Sequence, residues 1–491
     1  VRVNVLGTEK DDYISAKGLD NGDRHVQRYD AKKEGGDDEQ EYDRVFQKNE
    51  TKEVVIYGLD GDDRFMLSGN RSGIGLRLIG GTDGDMVMAE GKLRARVYDE
   101  KKGIKMKGNT VNLKNRTSDS HPDLNQYDFK EYKANTTTPV PAFGFNVDDG
   151  LLLVMGFTTT LSGFKPDPFS TQHTALATYS TNGFYRLKYD GVFNDFFSRR
   201  ADLIAKTYYF SPGSVANFFG IGNEGVGQPE EGQTEGLDDD NILEYNRARR
   251  EEVMINPQLR FRGENSRRSF SLGPFFQSFG LDEGTPDYAL IRNTPGIPDR
   301  VFSKQNYVGV GAHYSANSLA TPLMADNGLK YDFYVKQTWN LNNSDLTNFK
   351  VGGQFSFYRM MSKGVSFATR ISFEHNEGSP EFYQLASMGG GINYRAARVD
   401  RYLGNTLFTH NIDLRFLGFA FGKKETPTVA GFILGFDYGR VWLEGEEESG
   451  KWHVGYGGGL WAAPLGATIL SLTYFQDSEQ KRIAFAAGFP F

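Results

Sequence analysis

The chain has 491 residues, no cysteine, a formal net charge of −7 and a mean hydropathy of −0.52. The absence of cysteine excludes disulfide bridges and thiol catalysis, and the nearly balanced charge excludes a nucleic-acid-binding surface. The length exceeds that of one ordinary soluble domain. The sequence contains no run of about 18 apolar residues, which a transmembrane helix would need.

Residues 1–108 are rich in Asp, Gly and Lys and repeat one short pattern. The segments 5–14, 56–65 and 78–87 each read as a short strand, a Gly/Asp turn and a second short strand, and 97–104 is a looser copy. A spacing of ~20 residues predicts the stacked coils of a small β-solenoid. The strongly charged residues 20–50 interrupt the repeat, and we predict a surface loop there.

The turns of this repeat resemble the calcium-binding turn of β-roll proteins. Carboxylates and turn carbonyls supply the hard oxygen ligands that Ca²⁺ prefers. The alternative is an acidic, solvated turn in which glycine supplies a positive φ. The predicted calcium ligands are Asp60, Asp62, Asp63, Asp83 and Asp85.

Residues 109–142 lack apolar periodicity and are predicted to be a linker, and from 143 to 491 the chain alternates apolar and polar residues. In 365–374 the odd positions are Val, Phe, Thr, Ile and Phe, whereas the even positions are polar or small. Many two-faced strands would require one very large core in a soluble sandwich. A transmembrane barrel places the apolar faces against lipid and the polar faces around a lumen. We therefore predict an all-β chain with an antiparallel barrel of ~16 strands.

The last predicted strand, 482–491, sets Ile483, Phe485, Phe489 and Phe491 on one face and small or charged residues on the other. In a barrel this apolar face points at lipid, and the chain stops on an aromatic residue. This strand is therefore predicted to close the barrel.

Several motifs occur in order in the C-terminal third. These are Met-Gly-Gly-Gly-Ile-Asn-Tyr-Arg-Ala-Ala-Arg at 388–398, Asn-Ile-Asp-Leu-Arg-Phe at 411–416 and Gly-Phe-Asp-Tyr-Gly-Arg-Val-Trp at 435–442. Residues ~145–491 thereby resemble the BamA/TamA-type outer-membrane assembly barrels of the bacterial surface-antigen superfamily.

The resemblance implies a loop that folds into the lumen, carrying Tyr394, Arg395 and Arg398, with Arg395 paired to Asp437. Strand parity independently places Asp437 on the lumen face, together with Asp413 and Arg415. The alternative is that Arg395 is one of many lumen charges solvated by pore water.

The resemblance also implies a C-terminal insertion signal at Phe485, Phe489 and Phe491. It implies an outer-membrane location with residues 1–108 in the periplasm, and a role in inserting or exporting proteins. The partners it implies are outer-membrane lipid, lipopolysaccharide and client or partner outer-membrane proteins, with no cofactor besides the predicted Ca²⁺.

Two departures from the family keep a second function open. Ala396 and Ala397 replace the Gly-aromatic pair that follows the loop arginine, and the solenoid-like segment stands where the family has periplasmic repeats of βααββ type. The family includes barrels fused to hydrolases, so the alternative is a barrel that anchors or exports an upstream phosphoesterase or patatin-like lipase. The chain starts at Val1 without a signal-peptide pattern, so we expect a mature or truncated product.

The chain itself contains no motif of a known catalytic site. It has neither a Gly-x-Ser-x-Gly elbow nor a His-Glu-x-x-His motif, and its seven histidines are scattered singly. A lipid-facing hydrolase would need a His beside a hydroxyl on a neighbouring strand, and parity places His410 on the lipid face with no evident partner. We therefore predict no enzyme activity within these residues.

Overall fold

The structure is a computed structural model. The chain folds into two compact units, Val1–Lys133 and Ala134–Phe491. The described residues are 1–31, 39–117, 125–129, 133–146, 148–164, 168–224, 244–263, 267–282, 284–319, 327–391, 393–422, 428–446, 450–464 and 469–489.

The first unit is a two-sheet parallel β-solenoid, as the repeat predicts. One sheet has the order β1-β5-β7-β9-β11, and the other has the order β10-β8-β6-β2-β3-β4. The strands are β1 Arg2–Leu6, β2 Asp12–Gly18, β3 Arg24–Asp30, β4 Glu39–Phe46, β5 Glu53–Leu59, β6 Arg64–Gly69, β7 Gly75–Gly81, β8 Asp85–Ala89, β9 Ala95–Tyr98, β10 Ile104–Gly108 and β11 Leu113–Asn115.

Equivalent apolar residues of successive coils stack on one another inside the solenoid. Ile56 pairs with Val5 on one side and with Leu78 on the other, and all three are at most 3% exposed. Because each coil buries its neighbour's apolar side chains, the coils stabilise one another by hydrophobic contact.

The loop predicted over residues 20–50 is wrong for the part that the structure describes. Strands β3 and β4 form an antiparallel hairpin there, with Arg24 opposite Phe46, and β3 pairs with β2. Val26 and Phe46 are buried in the solenoid core. Two buried apolar residues are enough to hold the hairpin, because it extends an existing sheet. The charged residues between them therefore do not prevent strand formation.

The second unit is dominated by one antiparallel sheet, and the helices in its described connections are single short turns. The strands are β12 Thr136–Pro139, β13 Ala142–Asn146, β14 Gly150–Leu161, β15 Thr171–Ser180, β16 Tyr185–Ser198, β17 Ala201–Asn217, β18 Arg247–Arg262, β19 Arg268–Leu281, β20 Gln305–Asn317, β21 Gly328–Asn340, β22 Thr347–Ser362, β23 Val365–Gly378, β24 Ala386–Met388, β25 Tyr402–Gly404, β26 Thr406–Phe421, β27 Thr428–Trp442, β28 His453–Pro464, β29 Leu470–Gln476 and β30 Lys481–Ala487. The helix α1 spans Leu290–Asn293, and 3-10 turns span Asp299–Phe302 and Phe382–Gln384, whereas the 3-10 turn Thr110–Asn112 belongs to the first unit.

Seventeen of these strands follow one another through the large sheet. Because β12 and β13 lie end to end along β14, they occupy sixteen positions. The last strand returns to the vicinity of the first, since β13 and β30 lie close in space. The sheet is thus a barrel, and its all-β architecture confirms the predicted fold class.

No helix in the described part of the chain has the length and apolar character needed to cross a membrane.

The two faces of the sheet differ as strand parity predicts. On β14, Leu153, Met155 and Phe157 are 47%, 73% and 48% exposed on the outer face. On β26 and β27 the inner face carries Asp413 and Asp437, both 0% exposed. An outer surface this apolar would be unfavourable in water and matches the lipid-facing band of a membrane barrel.

We call the end of the barrel that carries the connections after β13, β15, β17, β19, β21, β23, β27 and β29 the loop end. A hydrophobic cluster fills it, contributed by side chains from several connections. Phe218 packs edge-on against Phe382, and Ile291 of α1 is 1% exposed. The loop end therefore has a packed core of its own beneath the connections.

Candidate functional site: an arginine loop inside the barrel

The predicted lumen loop lies between β24 and β25, which pair as a short antiparallel hairpin. We call residues 389–401 the inner loop, of which 392 lies outside the described residues. Gly389 has a φ of +138°, and a Cβ there would lie 2.1 Å from the Arg398 carbonyl oxygen. Only glycine fits this turn. The Asn393 side chain then accepts a hydrogen bond from the Gly389 N–H and donates one to the Ser387 carbonyl.

Arg395 is 2% exposed and is held by two carboxylates of the barrel wall. Its Nη2 lies 2.6 Å from Asp437 Oδ1, its Nε lies 3.0 Å from Asp437 Oδ2, and its Nη1 lies 2.6 Å from Asp413 Oδ1. Its backbone N–H also donates to Asp437 Oδ2 at 2.8 Å. The structure therefore brings together Arg395, Asp437 and Asp413, in charge-assisted bonds stronger than those of a solvated pair.

The barrel wall is shaped to receive this guanidinium. Its central carbon lies 4.1 Å from the centre of the Phe475 ring. A Cβ on Gly435 would lie 2.7 Å from Arg395 Nη2 and 2.6 Å from the Phe475 ring. Glycine on β27 therefore leaves the space that the arginine occupies.

Further polar side chains connect the site along the inner face. Arg415 Nη2 donates to Asp413 Oδ2 at 3.0 Å, and Asn411 Nδ2 donates to Asp437 Oδ1 at 2.8 Å. Arg370 Nη2 donates to Asn411 Oδ1 at 3.0 Å. Asn411 and Arg370 are not among the predicted site residues, although strand parity places both on the same inward face as Asp413 and Asp437.

The other two predicted loop residues reach opposite edges of the sheet. The Tyr394 hydroxyl donates to Asp477 Oδ2 at 3.0 Å, in the turn between β29 and β30. Arg398 Nη2 contacts Asp148, in the turn between β13 and β14, and Asn217 Oδ1 at 3.1 Å. The inner loop thus contacts the first and the last hairpin of the barrel at once.

A second contact strengthens the connection to the last hairpin. Arg401 is 2% exposed and its Nη2 lies 3.1 Å from Glu479 Oε2, while the Tyr402 hydroxyl donates to the same oxygen at 3.2 Å. Glu479 also accepts from Lys451 Nζ at 2.7 Å. Arg401 and Glu479 are not among the predicted site residues. No sequence motif relates a loop residue to a turn 78 positions away.

The three C-terminal aromatic residues do not share one face. Phe485 points outward, opposite Leu472, and is 47% exposed. Phe489 follows Gly488, whose φ is +98°, and packs inward against Trp461 with Arg415 4.3 Å from its ring centre. Parity fails here because the strand ends before residue 489. Phe491 lies outside the described residues.

The predicted calcium residues separate into two groups. Asp63 and Asp85 are 1% and 2% exposed at the starts of the second strands of their coils, and burial raises their pKa values to about 8 and about 9. Asp60, Asp62 and Asp83 sit on the exposed turns.

The turn carboxylates bind neighbouring coils by hydrogen bonds. Asp60 accepts from the Thr82 hydroxyl at 2.7 Å, and Asp62 accepts from the Gly84 N–H at 2.9 Å. Across the described ranges, no group of three His, Cys, Asp or Glu side chains is arranged to hold a metal ion. Calcium binding at these turns stays a prediction.

His410 has partners on the outer face, contrary to the sequence expectation. Its Nε2 lies 2.7 Å from the Thr369 hydroxyl and its Nδ1 lies 3.2 Å from the Tyr438 hydroxyl. The Thr369 hydroxyl also donates to the Asn411 carbonyl at 3.1 Å. This chain of hydrogen bonds satisfies a polar ring on an apolar surface.

No protein-family model matches the chain, and no curated protein matches it. Among solved structures, BamA from Haemophilus ducreyi lacking POTRA domains 1–3 is similar at 14% identity and a TM-score of 0.49, covering 73% of this chain and 71% of that one. CdiB from Escherichia coli is similar at 11% identity and 0.45, covering 78% and 66%. CdiB from Acinetobacter baumannii is similar at 11% identity and 0.41, covering 72% and 59%. All three are distant resemblances in overall structure.

Proposed function

We propose that this chain is an outer-membrane barrel that assists the insertion or export of other proteins through the junction between its first and last strands. We call that junction, between β13 and β30, the seam. In this proposal residues 1–108 lie in the periplasm, the loop end faces outward, and outer-membrane proteins are the clients.

The observation that carries the proposal is how the seam is held. In the described part of the chain, β13 and β30 lie close in space without a main-chain hydrogen-bond ladder between them. The inner loop spans the two hairpins instead, through Arg398 to Asp148 and through Tyr394 to Asp477. Side-chain contacts therefore supply the connection at the loop end that a ladder supplies elsewhere.

Separating the two strands of this seam costs less free energy than separating any two strands that a hydrogen-bond ladder joins. Opening β26 from β27, by comparison, would break a ladder of about fifteen residue pairs. Each open edge at the seam presents unpaired N–H and C=O groups that pair with an extended segment of another chain. Such an edge, beside an apolar outer surface, is the physical requirement for passing a strand into a membrane.

The outer surface supports the membrane part of the proposal. Apolar side chains cover it, and the rim at the loop end carries Trp339, Trp442 and Trp452. Tryptophan is enriched where membrane and water meet. The surrounding partners are therefore outer-membrane lipid and lipopolysaccharide.

The proposal is tested by locking the seam. Because the native chain has no cysteine, one cysteine at Phe145 on β13 and one at Ile483 on β30 form the only possible disulfide. Both residues are outward and exposed, at 67% and 72%. In proteoliposomes, we expect oxidation of this pair to abolish assisted insertion of a client barrel and reduction to restore it.

Each single-cysteine variant is the control and should insert the client under both conditions. Full insertion by the oxidised, cross-linked chain would contradict the proposal. Absence of insertion by the native chain would instead favour the alternative of a barrel that anchors or exports a hydrolase.

A further inference from the structure

An arginine surrounded by aromatic rings lies on the outer face at the loop end. Arg440 of β27 is directly opposite Phe408 of β26, and Tyr438 and Trp442 flank it on the same face. Trp452, from the connection between β27 and β28, completes the group. We call these five residues the rim cluster.

The rings enclose the guanidinium. Its central carbon lies 4.7 Å from the Trp442 ring centre and 5.9 Å from that of Trp452. These two indoles meet nearly at right angles, at 6.0 Å and 88°, and Trp452 meets Phe408 at 6.0 Å and 83°. Cation–π attraction of this kind stabilises the charge but leaves the N–H groups at the guanidinium edge to find acceptors.

Among the residues that the structure describes, the Arg440 guanidinium has no acidic partner. Arg440 is 6% exposed, its buried Nε has no hydrogen-bond partner, and no ion pair joins it to a described residue. This differs from Arg395, Arg398, Arg401 and Arg415, each of which contacts a carboxylate. A cation on a lipid-facing wall is costly unless it meets water or an anion at the headgroup level.

The surface below the rim cluster is apolar and continuous along the same strand. Phe436, Leu434 and Phe432 follow Tyr438 at alternate positions, with exposures of 39%, 51% and 43%. A ligand that joins an anionic head to an apolar tail therefore matches both the rim cluster and the apolar strand face below it. A free inorganic anion would match only its upper end.

We propose that the rim cluster is a binding site for a phosphorylated membrane lipid, with Arg440 receiving the phosphate and the 432–438 face of β27 receiving an acyl chain. Arginine suits this role because its planar fork donates two parallel hydrogen bonds to a phosphate while its face remains stacked on tryptophan. The site is separate from the inner loop and the seam, and it does not depend on the proposed insertion activity.

The test uses the full chain in detergent, with diphosphorylated lipid A as the probe and native mass spectrometry as the measurement. We expect one tightly bound lipid A per chain, and at least about a tenfold weaker affinity in Arg440→Gln, the size expected for losing a charged hydrogen bond. Dephosphorylated lipid A should bind the native chain as weakly as lipid A binds the variant.

Arg359→Gln is the matched control, because Arg359 is an exposed arginine of β22 at the opposite end of the barrel. Its affinity for lipid A should equal that of the native chain. Heat-modifiable gel mobility shows that each variant is folded, and Arg440→Lys, which keeps the charge but not the planar fork, should bind with intermediate affinity.

Three results would overturn the proposal. They are unchanged affinity in Arg440→Gln, equal losses in Arg440→Gln and Arg359→Gln, and displacement of lipid A by a moderate excess of inorganic phosphate. The last result would identify a general anion site in place of a lipid site.

Discussion

Arg395 is a buried charge whose position depends on two carboxylates at once. Asp437 and Asp413 are both fully buried, so neither can recover its solvation if the arginine is lost. Breaking a buried ion pair by removing one partner typically costs ~3–5 kcal/mol, because the remaining charge stays uncompensated. The same pair would contribute little if it were fully solvated.

Arg395→Ala should therefore lower barrel stability by ~3 kcal/mol or more. The measurement is the temperature at which heat-modifiable gel mobility is lost. Arg359→Ala, which removes an exposed arginine, is the control and should change this temperature little. An Arg395→Ala barrel that melts with the native one would show that pore water, and not the carboxylates, stabilises the arginine.

The buried aspartates of the solenoid give a second effect at the scale of single residues. Burial raises the pKa of Asp63 to about 8 and that of Asp85 to about 9, both above the values near 4 of an unfolded chain. The folded unit therefore binds protons that the unfolded unit has released. The contribution of these two carboxyls to the stability of the unit is therefore largest below about pH 4 and decreases as the pH rises towards 9.

The predicted outcome is a loss of protection against hydrogen exchange in β6 and β8 between pH 5 and pH 9, after correction for the chemical exchange rate. Asp85→Asn should reduce this pH dependence, because the amide stays uncharged at every pH. Protection that increases towards pH 9 would contradict the assignment of protonated, buried carboxyls.

At the scale of elements, β27 and the inner loop pack together because one position of β27 is a glycine. Gly435 faces inward beneath Arg395, and its absent Cβ leaves room for the guanidinium and for Phe475. Both neighbours are held by other contacts, so neither can move away freely. The strand therefore accepts the loop only with glycine at this position.

Gly435→Ala should displace Arg395 and lower the melting temperature of the barrel in the same direction as Arg395→Ala. The double variant should lose less than the sum of the two single variants, because the clash with Arg395 disappears with the arginine while the clash with Phe475 remains. Gly144→Ala on β13 is the control, since a Cβ there meets nothing within 4 Å. Additive losses in the double variant would show that Gly435 acts independently of the loop.

Strand parity predicted the elements well where a strand is long and one face is buried. Asp413, Arg415 and Asp437 lie inward as predicted, because side chains alternate at every residue while the ladder continues. The same argument failed at Phe489, where Gly488 ends the strand and redirects the chain. It also gave no sign of the β3–β4 hairpin, whose stability comes from the sheet it joins and not from its own sequence pattern.

Contacts between residues far apart in the chain could not be predicted from the sequence for another reason. Arg398 and Asp148 are 250 positions apart, and Asn223 and His453 are 230 apart. No local period or spacing relates such residues. Only the closed arrangement of the sheet, which returns the last hairpin to the first, brings them together.

At the scale of the whole molecule, the barrel is one sheet with a single weakly connected junction. Ladders of hydrogen bonds join the neighbouring strands from β14 to β30, whereas the inner loop joins the two edges by side chains at the loop end. The loop itself is fixed to the wall through Arg395. Opening of the seam is therefore coupled to the contacts that hold the loop.

The most direct measurement of this coupling is the distance between spin labels on cysteines at Phe145 and Ile483, by pulsed electron paramagnetic resonance in a cysteine-free background. We predict one short, narrow distance distribution for the native loop. The combined substitutions Tyr394→Phe, Arg398→Gln and Arg401→Gln should give a broad distribution extending to longer distances. An unchanged narrow distribution in this variant would show that the inner loop does not hold the seam, and would contradict the account.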